Sequence, residues 1–228
     1  KVRGDAGTTV KLAMRRGEAK QEYAITRAQV NDPSVRWDII NGAGVMTISR
    51  FDEQTGMLAR RAAQEFIDKQ VKGVVLDLRD NGGGYLTAAQ ALASVWLNDQ
   101  VVVTEKTGGK VVDTVKTERH ALLGDMKTVV LTNGNTASAS EIVAGALQEY
   151  GKATLIGEKT YGKGTVQKIV NLSDGRILKV TTARWYTPKG KNITKEGVTP
   201  DKTIHITKDD ANAGKDTQME AAQSVLVS

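Results

Sequence analysis

Apolar and polar residues alternate over Thr9 to Arg15 and over Glu22 to Arg27, on either side of Arg16-Gly17-Glu18, which predicts a β-hairpin. Two strands alone make no domain, so this hairpin either joins a sheet built later in the chain or is the remnant of a module whose beginning is missing. From Trp37 the pattern changes to strand followed by helix. Short strands at 37–41 and 45–50 precede a helical stretch whose apolar positions Met57, Leu58, Ala62, Phe66 and Ile67 are placed on one face. Val74 to Leu78 is a nearly continuous apolar run, the mark of a strand covered on both faces. It ends in Arg79-Asp80-Asn81-Gly82-Gly83-Gly84 ahead of a predicted helix over 86–97. Lys127 to Thr132 repeats the arrangement, with Asn133-Gly134-Asn135 as the turn and a predicted helix over 138–150. Further strands are predicted at 154–156, 165–170, 177–185 and 202–206. There is no internal repeat, and the alternation predicts a mixed α/β core with antiparallel pieces at both ends.

Composition narrows the chemistry more than the fold. With 228 residues, 39% of them hydrophobic, the chain can bury a sizeable core. Lys and Arg number 32 against 26 Asp and Glu, but the resulting +6 is scattered and only 4% of residues are aromatic. That is too few for a base-stacking platform, so nucleic acid is not expected as a partner. The absence of cysteine removes disulfides, thiolate nucleophiles and cysteine-ligated zinc. Two histidines, His120 and His205, support a Ser/His/Asp triad or a zinc site poorly; one of them with Asp77 or Asp80 is the metal alternative left open, and the two aspartates read first as turn and cap residues. No metal and no cofactor are expected. No apolar run is long enough to cross a membrane, and no signal peptide is read at Lys1, so any targeting segment is expected upstream.

Two segments carry candidate chemistry. Asn133 to Glu141 places small residues between a buried strand and a helix, where a hydroxyl can project while N–H groups of the first helical turn stay unpaired. Locally, the spacing of Ser138 and Glu141 reads first as a capping box. Lys163, between Gly162 and Gly164, is the candidate base, since a buried lysine can lose its proton near neutral pH. Gly157 to Gly164 imitates a phosphate-binding loop, but Gly164 stands where Ser or Thr is required and a strand follows instead of a helix. Gly82-Gly83-Gly84 likewise lacks the third glycine of a dinucleotide fingerprint, Thr87 standing there.

Taken together, Leu76-Asp-Leu-Arg-Asp-Asn-Gly-Gly-Gly84, Thr136-Ala-Ser-Ala-Ser-Glu141 and Gly157-Glu-Lys-Thr-Tyr-Gly-Lys-Gly-Thr-Val-Gln167 resemble the carboxy-terminal processing, or tail-specific, serine peptidase family. The resemblance covers roughly residues 36 to 207, including Tyr186 to Gly190 and Gly197 to Asp201. It implies Ser138 as nucleophile, Lys163 as general base and Gln167 as the residue positioning the lysine. The spacing of 25 residues from Ser138 to Lys163 and four from Lys163 to Gln167 keeps the family register. This chooses Ser138 over Ser140 and sets the capping-box reading second. The oxyanion is expected at the backbone N–H of Ala139 and of a glycine from the Gly83-Gly84 turn. Gly82 stands where many members have proline.

The fold implied is a crotonase-like, ClpP-like α/β protease core over 34–210, followed by a C-terminal segment over 211–228. Residues 1–33 resemble the last part of a truncated PDZ domain. The activity implied is endopeptidase cleavage of proteins near apolar C-terminal tails, bound as an added strand, by a protein placed beyond the cytoplasmic membrane, with membrane proximity through an upstream segment and a homo-oligomer as further expectations. The rivals are a ligand-binding protein on the same fold, against which the intact Ser138, Lys163 and Gln167 argue, and a PDZ-type scaffold.

Overall fold

The computed structural model describes residues 2–29, 32–172 and 176–227; Lys1, Val30, Asn31, Ser173, Asp174, Gly175 and Ser228 lie outside the described residues. The chain divides after Pro33 into two units. The first contains strands β1 (Thr9–Arg16) and β2 (Ala19–Thr26), paired antiparallel from Thr9 opposite Thr26 to Arg16 opposite Ala19. The expected hairpin is therefore present, its turn made by Gly17. Nearly every position is exposed, including Met14, Tyr23 and Ile25, as a lone two-stranded ribbon dictates.

The second unit begins with the antiparallel pair β3 (Val35–Ile40) and β4 (Ala43–Ile48), then α1 (Thr55–Asp68), β5 (Val74–Asp77) and α2 (Leu86–Ala93). The antiparallel pair β6 (Val101–Thr107) and β7 (Lys110–Lys116) follows, then β8 (Thr128–Thr132), α3 (Ala139–Glu149) and β9 (Thr154–Gly157). A second antiparallel pair, β10 (Thr165–Asn171) and β11 (Ile177–Tyr186), precedes β12 (Lys202–Thr203), α4 (Lys208–Asn212) and α5 (Thr217–Val227). Six strands form one sheet in the order β12-β9-β8-β5-β4-β3, parallel except for the edge strand β3, and four form a second sheet in the order β10-β11-β6-β7. This is the mixed α/β fold that the strand and helix alternation implied.

Period-2 alternation sorts the central strands onto two apolar layers. Leu76 and Val130 join Ala62, Phe66, Ala89 and Val143 from α1 to α3, while Val75, Val129 and Leu131 pack with Ala222 and Leu226 of α5. Every residue of β5 and β8 is consequently buried. The Phe66 ring lies so close to Gly44 that a Cβ there would come within 2.7 Å of it. Burying that ring contributes about 1.5–3 kcal/mol.

Three expectations change. Met57 does not share the buried face of α1: it is 65% exposed, whereas Ala59, Ala62, Ala63 and Phe66 are buried. Nine residues at about 100° each place it on the side opposite Phe66. The β6-β7 hairpin was not anticipated, although Gly108-Gly109 sits between two valine-containing segments and both glycines have positive φ. Finally, α5 packs against β5, β8 and β9, so the C-terminal stretch from residue 211 contributes a helix to the core unit.

Candidate active site

Open parallel sheets place their ligand sites beyond the carboxyl ends of the strands, and the loops after β5 and β8 meet there. The fully buried Asn81 joins them. Its Nδ2 donates to the Ile48 carbonyl at the end of β4 (2.7 Å), its Oδ1 accepts from Gly83 N–H (2.8 Å), and its own carbonyl accepts from Ala137 N–H (2.9 Å) and Ser140 Oγ (3.0 Å). Farther out, Asp80 accepts from the side-chain amides of Asn133 (2.9 Å) and Asn135 (2.8 Å). The Asn135 and Asn133 amide donors hold its carboxyl below the usual range.

Ser138 is the N-cap of α3, with φ +57° and ψ −118°. A non-glycine residue in that region costs of order 1–3 kcal/mol and persists only where its surroundings over-determine it. Here they do so through Glu141, a side chain with no exposed surface. Glu141 Oε2 accepts from the N–H groups of Ser138 (2.9 Å) and Lys163 (2.9 Å); its Oε1 accepts from Gly162 N–H (2.8 Å) and Thr160 Oγ1 (2.5 Å). The capping box expected from the spacing of Ser138 and Glu141 is present: the Glu141 carboxylate accepts from the Ser138 N–H and the Ser138 side chain faces the Glu141 N–H, which also donates to the Ser138 carbonyl (2.9 Å). One buried carboxylate thus ties the serine turn to the lysine loop.

The lysine loop is held from its other side by Trp185 of β11, whose Nε1 donates to the Lys163 carbonyl (2.9 Å) and whose side chain is buried. Gly162 has φ +88°, and a Cβ on it would come within 2.9 Å of the Gly197 nitrogen, so only glycine permits this path. Gln167 lies four residues on in β10, beside an irregularity in its pairing with β11, and is exposed.

Ser138, Ala139, Lys163, Gln167 and Gly84 all line one cavity of about 400 Å³. Gly83 does not line it: its Cα packs against the Ser138 turn and its N–H is engaged by Asn81. Of the two glycines expected to donate, Gly84 is therefore the one with a free N–H, and Ala139 N–H is likewise without an acceptor among the described residues. No hydrogen bond joins Ser138 Oγ, Lys163 Nζ and the Gln167 side chain among the described residues. Such contacts commonly tighten only around substrate. Apolar walls come from Val103, Ile142, Val166 and Trp185, and Glu105 is also present. Burial, reinforced by the neighbouring charge of Asp113, pushes the Glu105 carboxyl up.

The aspartates at 77 and 80 sit outside this cavity. Asp77 forms a salt bridge with Arg79 (2.7 Å), which also pairs with Asp216 (2.9 Å) at the start of α5. Burial alone would weaken the Arg79 charge, but the two carboxylates outweigh it and hold the guanidinium protonated. Glu141, Asn81, Thr160, Trp185 and Glu105 are the residues that sequence patterns did not single out for the site. Glu141 had a signal in its capping-box spacing from Ser138, but its other partners, Thr160, Gly162 and Lys163, lie about twenty residues away.

Comparison with known proteins places this arrangement. The chain is 38% identical over 205 residues to a probable CtpA-like serine protease of Staphylococcus haemolyticus, covering 89% of this chain and 41% of that protein. A probable CtpA-like serine protease of Staphylococcus aureus is 36% identical over 209 residues, covering 91% and 42%. The chain thus spans about two fifths of the length of these relatives. Among solved structures, a photosystem II D1 C-terminal processing protease superposes with a TM-score of 0.72 at 30% identity, over 89% of this chain and 57% of that one. A protein of Bacteroides fragilis described as a putative S41 protease shares the fold at a TM-score of 0.72 and 22% identity, over 96% of this chain and 66% of that one. The sequence profile of peptidase family S41 matches residues 42–204, a stretch containing every element that builds the cavity, and the chain belongs to that family.

Proposed function

We propose that this chain is the catalytic part of a serine endopeptidase in which Ser138 is the nucleophile and Lys163 the general base. The observation carrying this reading is that Ser138, Lys163 and Gln167 share one cavity with the unengaged N–H groups of Ala139 and Gly84. Neutral Lys163 takes the proton of Ser138 Oγ as the oxygen bonds to a peptide carbonyl carbon, with Gln167 orienting the amine. The tetrahedral oxyanion is held by Ala139 and Gly84 N–H, donors set by the folded loops before reaction. Lysine then passes the proton to the leaving amine, leaving an ester on Ser138 that water cleaves.

Substrates are proteins with apolar C-terminal tails, entering as a strand. The name of the D1 C-terminal processing protease supports action at a C-terminus, and entry as a strand is supported by β10, which carries Gln167 and is an outer strand of its sheet whose far side can accept a further strand. Placement beyond the cytoplasmic membrane belongs to the same reading, as does the PDZ identity of residues 1–33. No helix among the described residues is long and apolar enough to cross a membrane.

The test is hydrolysis of an unfolded protein with an apolar C-terminus by this chain, by Ser138→Ala and by Lys163→Ala, from about pH 6 to about pH 10. Each substitution should lower kcat by about a thousandfold or more, and the activity of the unsubstituted chain should rise with pH. Equal activity of all three proteins would refute the dyad.

A further inference from the structure

Val103 and Glu105 lie two residues apart on β6 and so project from the same face. Glu105 stands directly opposite Trp185 of β11, and all three line the cavity that contains Ser138. Glu105 is half-buried, yet among the described residues no donor reaches it and no basic side chain pairs with it. Three charged groups face it or share its cavity. Asp113 is its register partner on β7 and repels it. Lys163 and Lys179 line the cavity, but Lys179 lies six residues from Trp185 along β11, roughly 20 Å away at the usual rise of a strand.

A carboxylate partly removed from water with no donor is costly unless something supplies one. Trp185 stands beside this one in the sheet, Val103 shares its face of β6, and Ile142 lines the same cavity. An apolar wall ending in an unmet acceptor fits an amphipathic cation, whose aliphatic stem packs on the wall while its head reaches the carboxylate. Because the oxyanion donors Ala139 and Gly84 line the same cavity, the attacked carbonyl must lie there too. The side chain carried by that same residue is then the one placed against the wall. We propose that Glu105 is a specificity-determining residue that selects lysine or arginine immediately before the scissile bond.

This deepens the peptidase reading and rests on Ser138 facing the cavity. An apolar tail farther along the substrate is compatible with it. The experiment compares kcat/KM for matched peptides that differ only in having Lys, Leu or Glu before the scissile bond, using this chain, Glu105→Gln and Glu105→Lys. The unsubstituted chain should favour Lys over Leu by about tenfold or more, the scale of a charge-assisted hydrogen bond. That ratio should collapse in Glu105→Gln, and Glu105→Lys should turn the preference towards Glu. The Lys-to-Leu ratio should also increase with pH as the Glu105 carboxyl ionises, and taking a ratio cancels the pH dependence of the dyad.

Preference for Leu in the unsubstituted chain, or an unchanged ratio in Glu105→Gln, would overturn the proposal while leaving the dyad intact. If no peptide is cut, the dyad is decided by the unfolded-protein assay, and equilibrium binding of the same peptides to Ser138→Ala decides about Glu105 separately. Tighter binding of the Lys peptide by about tenfold supports its role, and equal or undetectable binding of all three overturns it.

Discussion

Replacing Glu141 by glutamine tests the link between the serine turn and the lysine loop with almost no change of shape. The carboxylate accepts from four donors, two at each oxygen. A glutamine keeps one accepting oxygen and turns an NH2 group towards the other pair. With the amide nitrogen towards Ser138 and Lys163, both N–H groups lose their acceptor. In the reverse orientation, Gly162 N–H and the Thr160 hydroxyl proton lose theirs. Either way two buried donors are left unsatisfied, at about 1–3 kcal/mol each, or about 2–6 kcal/mol together. For a chain of this size that lowers Tm by roughly 4–24 °C. The same loss loosens the backbone carrying Ser138 and Lys163, so kcat should fall by about ten- to a hundredfold. Circular dichroism melting and peptidase assays on the same preparation read both effects. A variant melting within about 2 °C of the unsubstituted chain with undiminished kcat would refute the role assigned to Glu141.

Gly84 has φ +150°, and a Cβ there would lie 2.1 Å from the Phe51 carbonyl oxygen, whereas a Cβ on Gly82 meets nothing within 4 Å. Gly84→Ala should displace one oxyanion donor and lower kcat by about a hundredfold or more, while Gly82→Ala stays close to the unsubstituted rate; equal effects in steady-state assays would contradict this assignment. Burial alone would raise the Asp216 carboxyl, but hydrogen bonds and charge from Arg79, with N–H donors from Met219 and Gln218, outweigh it and hold it below its usual value. A carboxyl depressed by folding adds stability above its unfolded value, near 3.8, and loses it as pH falls through the lower folded one. Asp216→Asn should therefore melt below the unsubstituted chain at neutral pH, and the gap should close in acid; a gap that persists there would show that the pair contributes nothing through its charge.

Much of the architecture was legible because burial on both faces leaves a continuous apolar run, as at Val74 to Leu78, and because glycine and asparagine mark the turns that follow. The mixed α/β class followed from that alternation, while Ser138, Lys163 and Gln167 were marked by motif resemblance at fixed spacing. Met57 was misplaced because a helix face is a matter of angle, and apolar character alone does not give the angle. The β6-β7 hairpin was missed although its glycine turn was visible, since neither strand alternates cleanly and the largely exposed, charged β7 resembles ordinary surface.

The site itself divides along the same line. Local sequence could show that Ser138 begins a helix and that glycines flank Lys163, because capping and backbone freedom depend on neighbours along the chain. It could not show that Glu141 receives the N–H groups of both, that Asn81 withdraws Gly83 and leaves Gly84 as the free donor, or that Glu105 stands beside Trp185 at the cavity wall. The bond from Gly83 to Asn81 is local, but Glu141 to Lys163, Asn81 to Ile48 and Glu105 to Trp185 join residues far apart in the chain. Their hydrogen bonds act only at contact distance, so only the packing of helices and sheets could decide them.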